Sequence, residues 1–361
     1  MKKIFWYYLF MAVFAFASCD KSDDPSEAFK PRKGDVYVAG YEYKAGIGSV
    51  AKLWKNGADL NLSSGTEANS VFVTGGDVYV AGYTLRSIGT NKNFATVWKN
   101  GIAEYLSKDT RNGWATSVFV TGDDVYVAGY EREYINGELY ECGVVWKNGE
   151  AQYLSEGDHS IAYSVFVYNG DVYVSGMSGA IDPRAVLWKN GTPQYLSDYA
   201  YSGGEWCPTS AVSVFVSNGD VYVAGTEHCS SLHTAKLWKN GEEQLLSEAV
   251  MRNSNARSVY VSGGNVYVAG TLYVNDEPRA VLWINGAQQF INVSFEVSSS
   301  FANSVFVSDK DVYVAGTEYS MLPTSYFAIS KFWKNSVAQD LSTTYKIGDS
   351  QVHAVSIFVV E

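Results

Sequence analysis

Short apolar runs separated by glycine, asparagine and aspartate fill the chain from residue 35 to its end. The run SVFV, or a close variant of it, leads through a short turn into the run DVYVAG, and a third run, usually LWKNG, follows. Such runs are rich in β-branched and aromatic side chains and show no helical period, so they predict short β-strands. We therefore expect an all-β protein.

The pattern repeats with a nearly constant period. Seven copies of the DVYVAG block are spaced 42 to 49 residues apart, which is typical of propellers and solenoids. The copies begin at Asp35, Asp77, Asp124, Asp171, Asp220, Asn265 and Asp311. The tryptophans of the third run are Trp54, Trp98, Trp146, Trp188, Trp238, Trp283 and Trp333. Each unit is predicted to form four antiparallel strands, because turn residues such as Asn-Gly separate the runs.

The central runs of each unit are apolar at nearly every position rather than at alternate positions. Both faces of each small sheet must then be covered, as in blades packed face to face. The chain enters at the second strand of a blade, residues 35–40, and leaves on a lone first strand, residues 356–360. Pairing of these strands would leave no open edge. We expect a closed seven-bladed β-propeller, with an open solenoid as the alternative.

The strand layout from residue 34 to residue 361 resembles the blades of WD-repeat proteins. WKNG stands where the Trp-Asp signature of that family would be, and the Gly-His signature is absent. The chain also resembles bacterial lipoproteins built from the same VYVAG and WKNG blocks. That resemblance implies a propeller and an anchor, and it implies no particular activity.

Residues 1–18 are predicted to be a signal peptide, because two lysines precede an apolar run that is too short to span a membrane. The run ends in FASC, which resembles the lipobox of bacterial lipoproteins. Cys19 would then be the lipidated first residue of the mature chain, and its acyl chains would be the only membrane contact. The alternative is an ordinary secretory signal that is cleaved nearby.

Residues 19–33 are polar and acidic and are predicted to form a flexible tether before a single domain, residues 34–361. The acidic run DKSDD resembles export tags of Gram-negative surface lipoproteins. We therefore expect an outer-membrane lipoprotein exposed at the cell surface, with a periplasm-facing protein as the alternative. The formal net charge of −11 argues against nucleic acid as a partner.

Comparison of the repeats with one another predicts which face of the ring is functional. The turn between SVFV and DVYVAG barely varies, whereas the glycine-to-tryptophan spacing varies from 12 to 17 residues and the tryptophan-to-serine spacing from 16 to 25. In a propeller with this strand order, both variable connections emerge on one face, which we call the loop face. Loops on a rigid scaffold are the usual place for recognition. The repeated aspartates and tryptophans are instead expected to cap turns and pack blades.

Aromatic residues in the variable connections are the first candidates for ligand contact, because flat apolar faces suit sugar rings and partner side chains. They are Trp114, Trp206, Tyr41, Tyr83, Tyr130, Tyr163, Tyr199, Tyr201 and Tyr319. Burial at the blade ends is the alternative role for each of them. Four glutamates at the same strand ends could bind a cation or a basic partner, act as general acid and base, or merely solvate the strand ends. They are Glu42, Glu131, Glu227 and Glu318.

Cys207 and Cys229 flank the first hairpin of the fifth blade. An oxidising envelope favours a disulfide between them, with unrelated thiols or, together with His228 and His233, a metal site as the alternatives. We predict no resident metal and no cofactor, because no phosphate loop, nucleophile elbow or metal-binding motif occurs.

The resulting hypothesis is a non-catalytic binding module that holds a glycan or an envelope protein on its loop face. An alternative is a polysaccharide lyase or glycosidase whose acids come from the four glutamates. A structural scaffold in an envelope complex is a further alternative.

Overall fold

The computed structural model describes residues 25–86, 92–108, 111–135, 137–155, 159–198, 201–202, 205–229, 232–246, 253–291, 297–322, 325–341 and 350–361. Within these residues, seven four-stranded antiparallel sheets are arranged as the blades of a β-propeller. The predicted fold class is therefore confirmed. The predicted signal peptide and Cys19 lie outside the described residues. No helix in the described ranges is long and apolar enough to cross a membrane.

The strands of each blade follow one another from the ring axis outwards. Blade 1 consists of Ser350–Val359, Val36–Lys44, Gly48–Lys55 and Ala58–Leu60. Blade 2 consists of Glu67–Thr74, Asp77–Arg86, Lys92–Lys99 and Ile102–Tyr105. Blade 3 consists of Asn112–Thr121, Asp124–Ile135, Glu138–Lys147 and Glu150–Tyr153. Blade 4 consists of Ser160–Tyr168, Asp171–Ser178, Arg184–Lys189 and Thr192–Tyr195. Blade 5 consists of Thr209–Ser217, Asp220–Cys229, Leu232–Lys239 and Glu242–Gln244. Blade 6 consists of Ser254–Ser262, Asn265–Val274, Glu277–Ile284 and Ala287–Phe290. Blade 7 consists of Val297–Ser308, Asp311–Leu322, Ser325–Lys334 and Val337–Asp340.

The two ends of the chain close the ring within blade 1. Ser350–Val359 pairs antiparallel with Val36–Lys44, so the last strand becomes the innermost strand of the first blade. This pairing confirms the predicted closure. It also seals an apolar cluster between blades 7 and 1, in which Trp54 packs with Phe306 and Ile357.

The turns on the uniform face, which lies opposite the loop face, follow from their sequence. At the turn between the third and fourth strands, Asn100 and Gly101 have φ values of 50° and 82°, as a type I′ turn requires. The Asn100 side chain accepts a hydrogen bond from the Val78 amide and donates one to Asp77, which also pairs with Lys99 at 2.7 Å. This clamp ties the two hairpins of a blade together, as expected for a turn-capping aspartate.

The repeated tryptophans pack between neighbouring blades. Their exposed fractions are 3% or less, and each one lies in a cluster with residues of the preceding blade. Trp146 of blade 3, for example, packs with Tyr79 and Ala95 of blade 2. These residues therefore hold the blades together.

A β-bulge interrupts the innermost strand of every blade at the residue before the SVFV serine. In blade 3, Ala115 pairs with Gly129 and Ser117 pairs with Ala128, so Thr116 is left without a partner. The same shift occurs at the equivalent position of the other six blades. Bulges re-aim side chains, and here the bulged residues line the ring axis.

The chain before blade 1 lies on the uniform face. Pro25–Phe29 forms a short helix, and the Phe29 side chain is buried beside Gly101, a turn residue of blade 2. The Tyr37 hydroxyl donates to the Phe29 carbonyl, and Lys55 donates to the Lys30 carbonyl. The last part of the predicted tether is thus docked on the propeller.

Candidate functional site

A cavity of about 510 Å³ lies on the ring axis and faces the loop side of the molecule. We call it the cup. Its floor contains the seven SVFV serines, and above them lie the seven bulged residues. The bulged residues are Asn69, Thr116, Tyr163, Val212, Arg257, Asn303 and Val355. A cavity of this size is in the range that holds small ligands.

The serines of the floor link the blades around the axis. Each serine hydroxyl accepts a hydrogen bond from a backbone N–H of the next blade, at 3.1 to 3.3 Å. Below this floor the seven aromatic residues of the SVFV runs contact one another in a closed ring, with centroids 4.6 to 5.0 Å apart. None of these aromatic residues lines the cup, so the cup ends above them.

One wall of the cup is built from aromatic side chains of blades 7 and 1. Tyr41 stacks on His353 with ring centroids 4.6 Å apart, and the Tyr319 hydroxyl lies 3.3 Å from Nδ1 of His353. Burial raises the pKa of Tyr41 and lowers the pKa of His353. At neutral pH these groups are therefore uncharged hydrogen-bonding side chains. The structure places the predicted candidates Tyr41, Tyr163 and Tyr319 in the cup.

A second group of predicted aromatic residues forms an arc beside the cup, on blades 2 and 3. Trp114 stacks on Tyr130 at 4.9 Å and meets Tyr83 edge to face at 6.3 Å. The Arg132 guanidinium lies 4.8 Å from the centre of the Trp114 ring. We call Tyr83, Trp114 and Tyr130 the aromatic arc. All three side chains are half-buried, so each keeps part of its surface open.

Glu67 faces the aromatic arc and was not predicted from the sequence. It pairs with Tyr83 in the register of blade 2, and burial raises the pKa of its carboxyl group although a hydrogen bond from Tyr83 opposes that effect. Glu67 therefore gives up its proton less readily than an ordinary glutamate.

The four predicted glutamates are ion-paired at the strand ends and do not line the cup. Glu42 lies 3.5 Å from Lys52, Glu227 lies 3.0 Å from Lys236, and Glu318 lies 2.7 Å from Lys331. Glu131 lies 3.2 Å from Arg111 and also accepts a hydrogen bond from the Tyr153 hydroxyl. Their carboxylates are therefore engaged with cations of the protein itself, and the geometry does not bring them together.

The remaining candidates come from the stretch of sequence that connects blades 4 and 5 and from the second strand of blade 5. Trp206 is 48% exposed and belongs to a two-residue strand that pairs with Tyr201–Ser202. Tyr199 and the side chain of Tyr201 lie outside the described residues. Cys207 and Cys229 are joined in a disulfide beside the fifth blade.

Arg257 is a lining residue that reasoning from sequence missed. Its side chain has a large solvent-accessible surface. Protein atoms nevertheless surround the guanidinium closely, and this burial lowers its pKa. The two observations agree because its open surface belongs to the cup. An arginine keeps its charge in a protein. The signal was present in the sequence, because the residue before each SVFV serine varies within an otherwise uniform strand.

No protein-family model and no curated protein sequence matches this chain. Solved structures do match it. The β-propeller domain of the Trilobed protease from Pyrococcus furiosus is 12% identical, with a TM-score of 0.51 over 87% of this chain and 97% of that chain. That domain is described as having an open velcro topology, whereas the ring described above is closed.

Two enzymes are also similar in structure. Pyrococcus horikoshii acylaminoacyl peptidase is 13% identical, with a TM-score of 0.50 over 87% of this chain, which spans only about half (53%) of that chain. An ulvan lyase of polysaccharide lyase family PL25 is 11% identical, with a TM-score of 0.49, over 80% of this chain and 85% of that chain. At these identities the comparisons show the propeller fold alone.

Proposed function

We propose that this protein is a binding module that holds a glycan in the cup and on the aromatic arc of its loop face. The observation that carries the proposal is the cup itself, a cavity of about 510 Å³ lined by uncharged polar and aromatic side chains, two valines and one arginine. A cavity of this size suits a sugar residue or a short branch and is too small for a folded protein surface. Stacked aromatic side chains beside it offer platforms for further sugar rings.

We further propose that Cys19 anchors the protein in the outer membrane and that the cup faces away from that membrane. The docked segment around Phe29 supports this orientation, because the chain that leads back to Cys19 leaves the propeller on the uniform face. Addition of protease to whole cells should cleave the protein along with a known surface control. Survival of the protein under those conditions would contradict surface exposure.

Affinity electrophoresis of the full chain in a nonionic detergent tests glycan binding. Gels that contain different polysaccharides should include at least one that retards the protein. Trp114→Ala and Tyr41→Ala should each weaken the affinity behind that retardation about fivefold, since a lost aromatic contact is worth about 1 kcal/mol. Tyr195→Ala is the matched control, because Tyr195 is an exposed aromatic residue on the outermost strand of blade 4.

Free migration in every gel would contradict the glycan proposal and would favour an envelope protein as the partner. Release of new reducing ends or unsaturated products from a retarding polysaccharide would instead favour the enzyme hypothesis. A general acid and a general base must reach the same bond. Glu42, Glu227 and Glu318 are each paired with a different lysine, which does not favour an enzyme whose acids come from these glutamates.

A further inference from the structure

We propose that the cup recognises an acidic sugar, and that Arg257 binds its carboxylate or sulfate group. This inference rests on the proposed function and names the chemistry of the ligand. The bound part of the ligand would be an end or a side branch of an acidic glycan. The ring of aromatic side chains beneath the serine floor lies at the far end of the cup, so a glycan chain could not continue through it.

The charge of the cup is the first argument. Among the described residues that line the cup, Arg257 is the only charged one, and no aspartate or glutamate of that part of the chain joins it there. The protein as a whole carries a formal charge of −11, so an isolated cation on its axis is unusual. A partly enclosed charge is costly unless it is paired. An acidic ligand would supply the missing counter-charge.

The equivalent residues of other blades provide the second argument. Asn69, Thr116 and Asn303 each donate a side-chain hydrogen bond of 2.8 to 2.9 Å to an alanine carbonyl of the next blade. Their position therefore has a structural role that a short polar side chain fulfils. No hydrogen bond or ion pair joins Arg257 to any other described residue, so its guanidinium does not perform that role.

The groups around Arg257 give the third argument. Burial is the largest influence on the pKa of Arg257, and the phenol side chains of Tyr41, Tyr273 and Tyr319 oppose it. Burial also lowers the pKa of His228, and Arg257 in turn lowers it further. No carboxylate of a described residue is among these neighbours. The planar guanidinium of Arg257 is left with several N–H donors in a fork that matches the paired oxygens of a carboxylate or sulfate.

The serine floor complements this arrangement. Because each serine oxygen already accepts a backbone N–H, its hydroxyl hydrogen remains able to donate. The cup therefore combines one cation with a floor of hydroxyl donors. Oxyanions accept several hydrogen bonds at once, whereas a neutral sugar would leave the charge of Arg257 uncompensated.

Binding of the full chain to matched acidic and neutral polysaccharides tests the inference. Polygalacturonate and alginate serve as carboxylate probes, with carboxyl-reduced preparations as their neutral counterparts. Chondroitin sulfate carries both acidic groups, so it is compared with a desulfated preparation, a carboxyl-reduced preparation and one that has undergone both treatments and is neutral. We expect at least one acidic probe to bind more tightly than its neutral counterpart. Loss of binding after carboxyl reduction or after desulfation distinguishes the two acidic groups.

Arg257→Gln should weaken binding of the acidic probe at least about tenfold, because a charge-assisted pair is lost. It should leave binding of any neutral probe unchanged. Arg257→Lys should retain part of the affinity, since the charge remains while the fork is lost. Lys99→Gln is the control, because it removes the same charge from an exposed lysine on the uniform face.

A second variant keeps the test decisive if Arg257→Gln fails to fold. Val212→Asp introduces a carboxylate at the bulge of the adjacent blade and should weaken acidic probes selectively by competing for Arg257. Equal binding of an acidic probe by the wild type and both variants would overturn the inference. Binding of neutral probes alone would overturn it and leave the proposed function standing, whereas no binding of any probe would contradict both.

Discussion

At the scale of single residues, a glycine in the second strand of each blade makes room for the bulge that lines the cup. A Cβ atom at Gly270 would lie 1.9 Å from the Asn255 carbonyl oxygen and 3.0 Å from the Trp283 ring. Every equivalent glycine has the same contact with the innermost strand, at 1.9 or 2.0 Å. These glycines are therefore needed for close approach of two backbones rather than for a positive φ.

Gly270→Ala should destabilise the protein by about 3 kcal/mol, because two backbones must move apart to admit the methyl group. Gly264→Ala is the matched control. Its Cβ would meet nothing within 4 Å, and only its φ of 78° is unfavourable for alanine, at about 1 kcal/mol. Urea unfolding of both variants measures the difference. Equal midpoints would show that the close approach at Gly270 does not matter for stability.

At the scale of the blade, the aspartate clamps join the two hairpins and respond to acid. A hydrogen bond from Lys99 lowers the pKa of Asp77 below the ordinary value of 3.8, and Lys147 does the same for Asp124. Asp171, Asp220 and Asp311 are lowered in the same way. Blade 6 has Asn265 in place of aspartate and Ile284 in place of lysine, so it keeps the amide contact without the charge pair.

Because of the aspartate clamps, we expect the melting temperature of the protein to fall in acid. Because the pKa of each aspartate is lower in the folded chain, the unfolded chain takes up protons first as the pH falls. The stability that the clamps contribute is complete above pH 3.8 and is lost as the pH falls through the folded pKa. Melting temperatures measured between about pH 6 and pH 2.5 should therefore drop below about pH 4.

A variant that combines Asp124→Asn, Asp171→Asn and Asp220→Asn tests the origin of this effect. Like blade 6, it keeps a side-chain oxygen at each turn but removes the titrating groups. Its melting temperature should fall less steeply in acid than that of the wild type. An identical acid profile would assign the effect to other carboxyl groups.

At the scale of the whole molecule, ring closure joins residues that are more than 300 positions apart, as in the pair Val36 and Val359. The last strand also supplies His353 to the cup and Ser356 to the serine floor. Stability and the candidate site thus depend on the same closure.

Removal of residues 350–361 should prevent formation of a stable monomer, because blade 1 would lose its innermost strand and expose Trp54 and Phe306. An unpaired strand edge also favours aggregation. Size-exclusion chromatography and thermal unfolding measure the outcome, with removal of Glu361 alone as the control. A monomer with the melting temperature of the full chain would contradict the role of closure.

The sequence alone determined the fold of this protein, because strands and turns are local features. A run such as SVFV predicts a strand, Asn-Gly predicts the turn after it, and the seven-fold period predicts the ring. The spacing of the repeats also predicted which face varies. Tyr41, Tyr163 and Tyr319 were found among the candidates because they lie next to regular repeat blocks.

Only the tertiary structure decided which residues line the cup. Arg257 and His353 are almost 100 residues apart in the sequence and come together because the ring brings the innermost strands to one axis. The sequence shows that the residue before each serine varies from repeat to repeat, but not that a bulge in the strand pairing turns this residue towards the axis. The partners of Glu227 and Glu318, Lys236 and Lys331, were hidden for the same reason, since cross-strand neighbours are set by register and not by sequence distance.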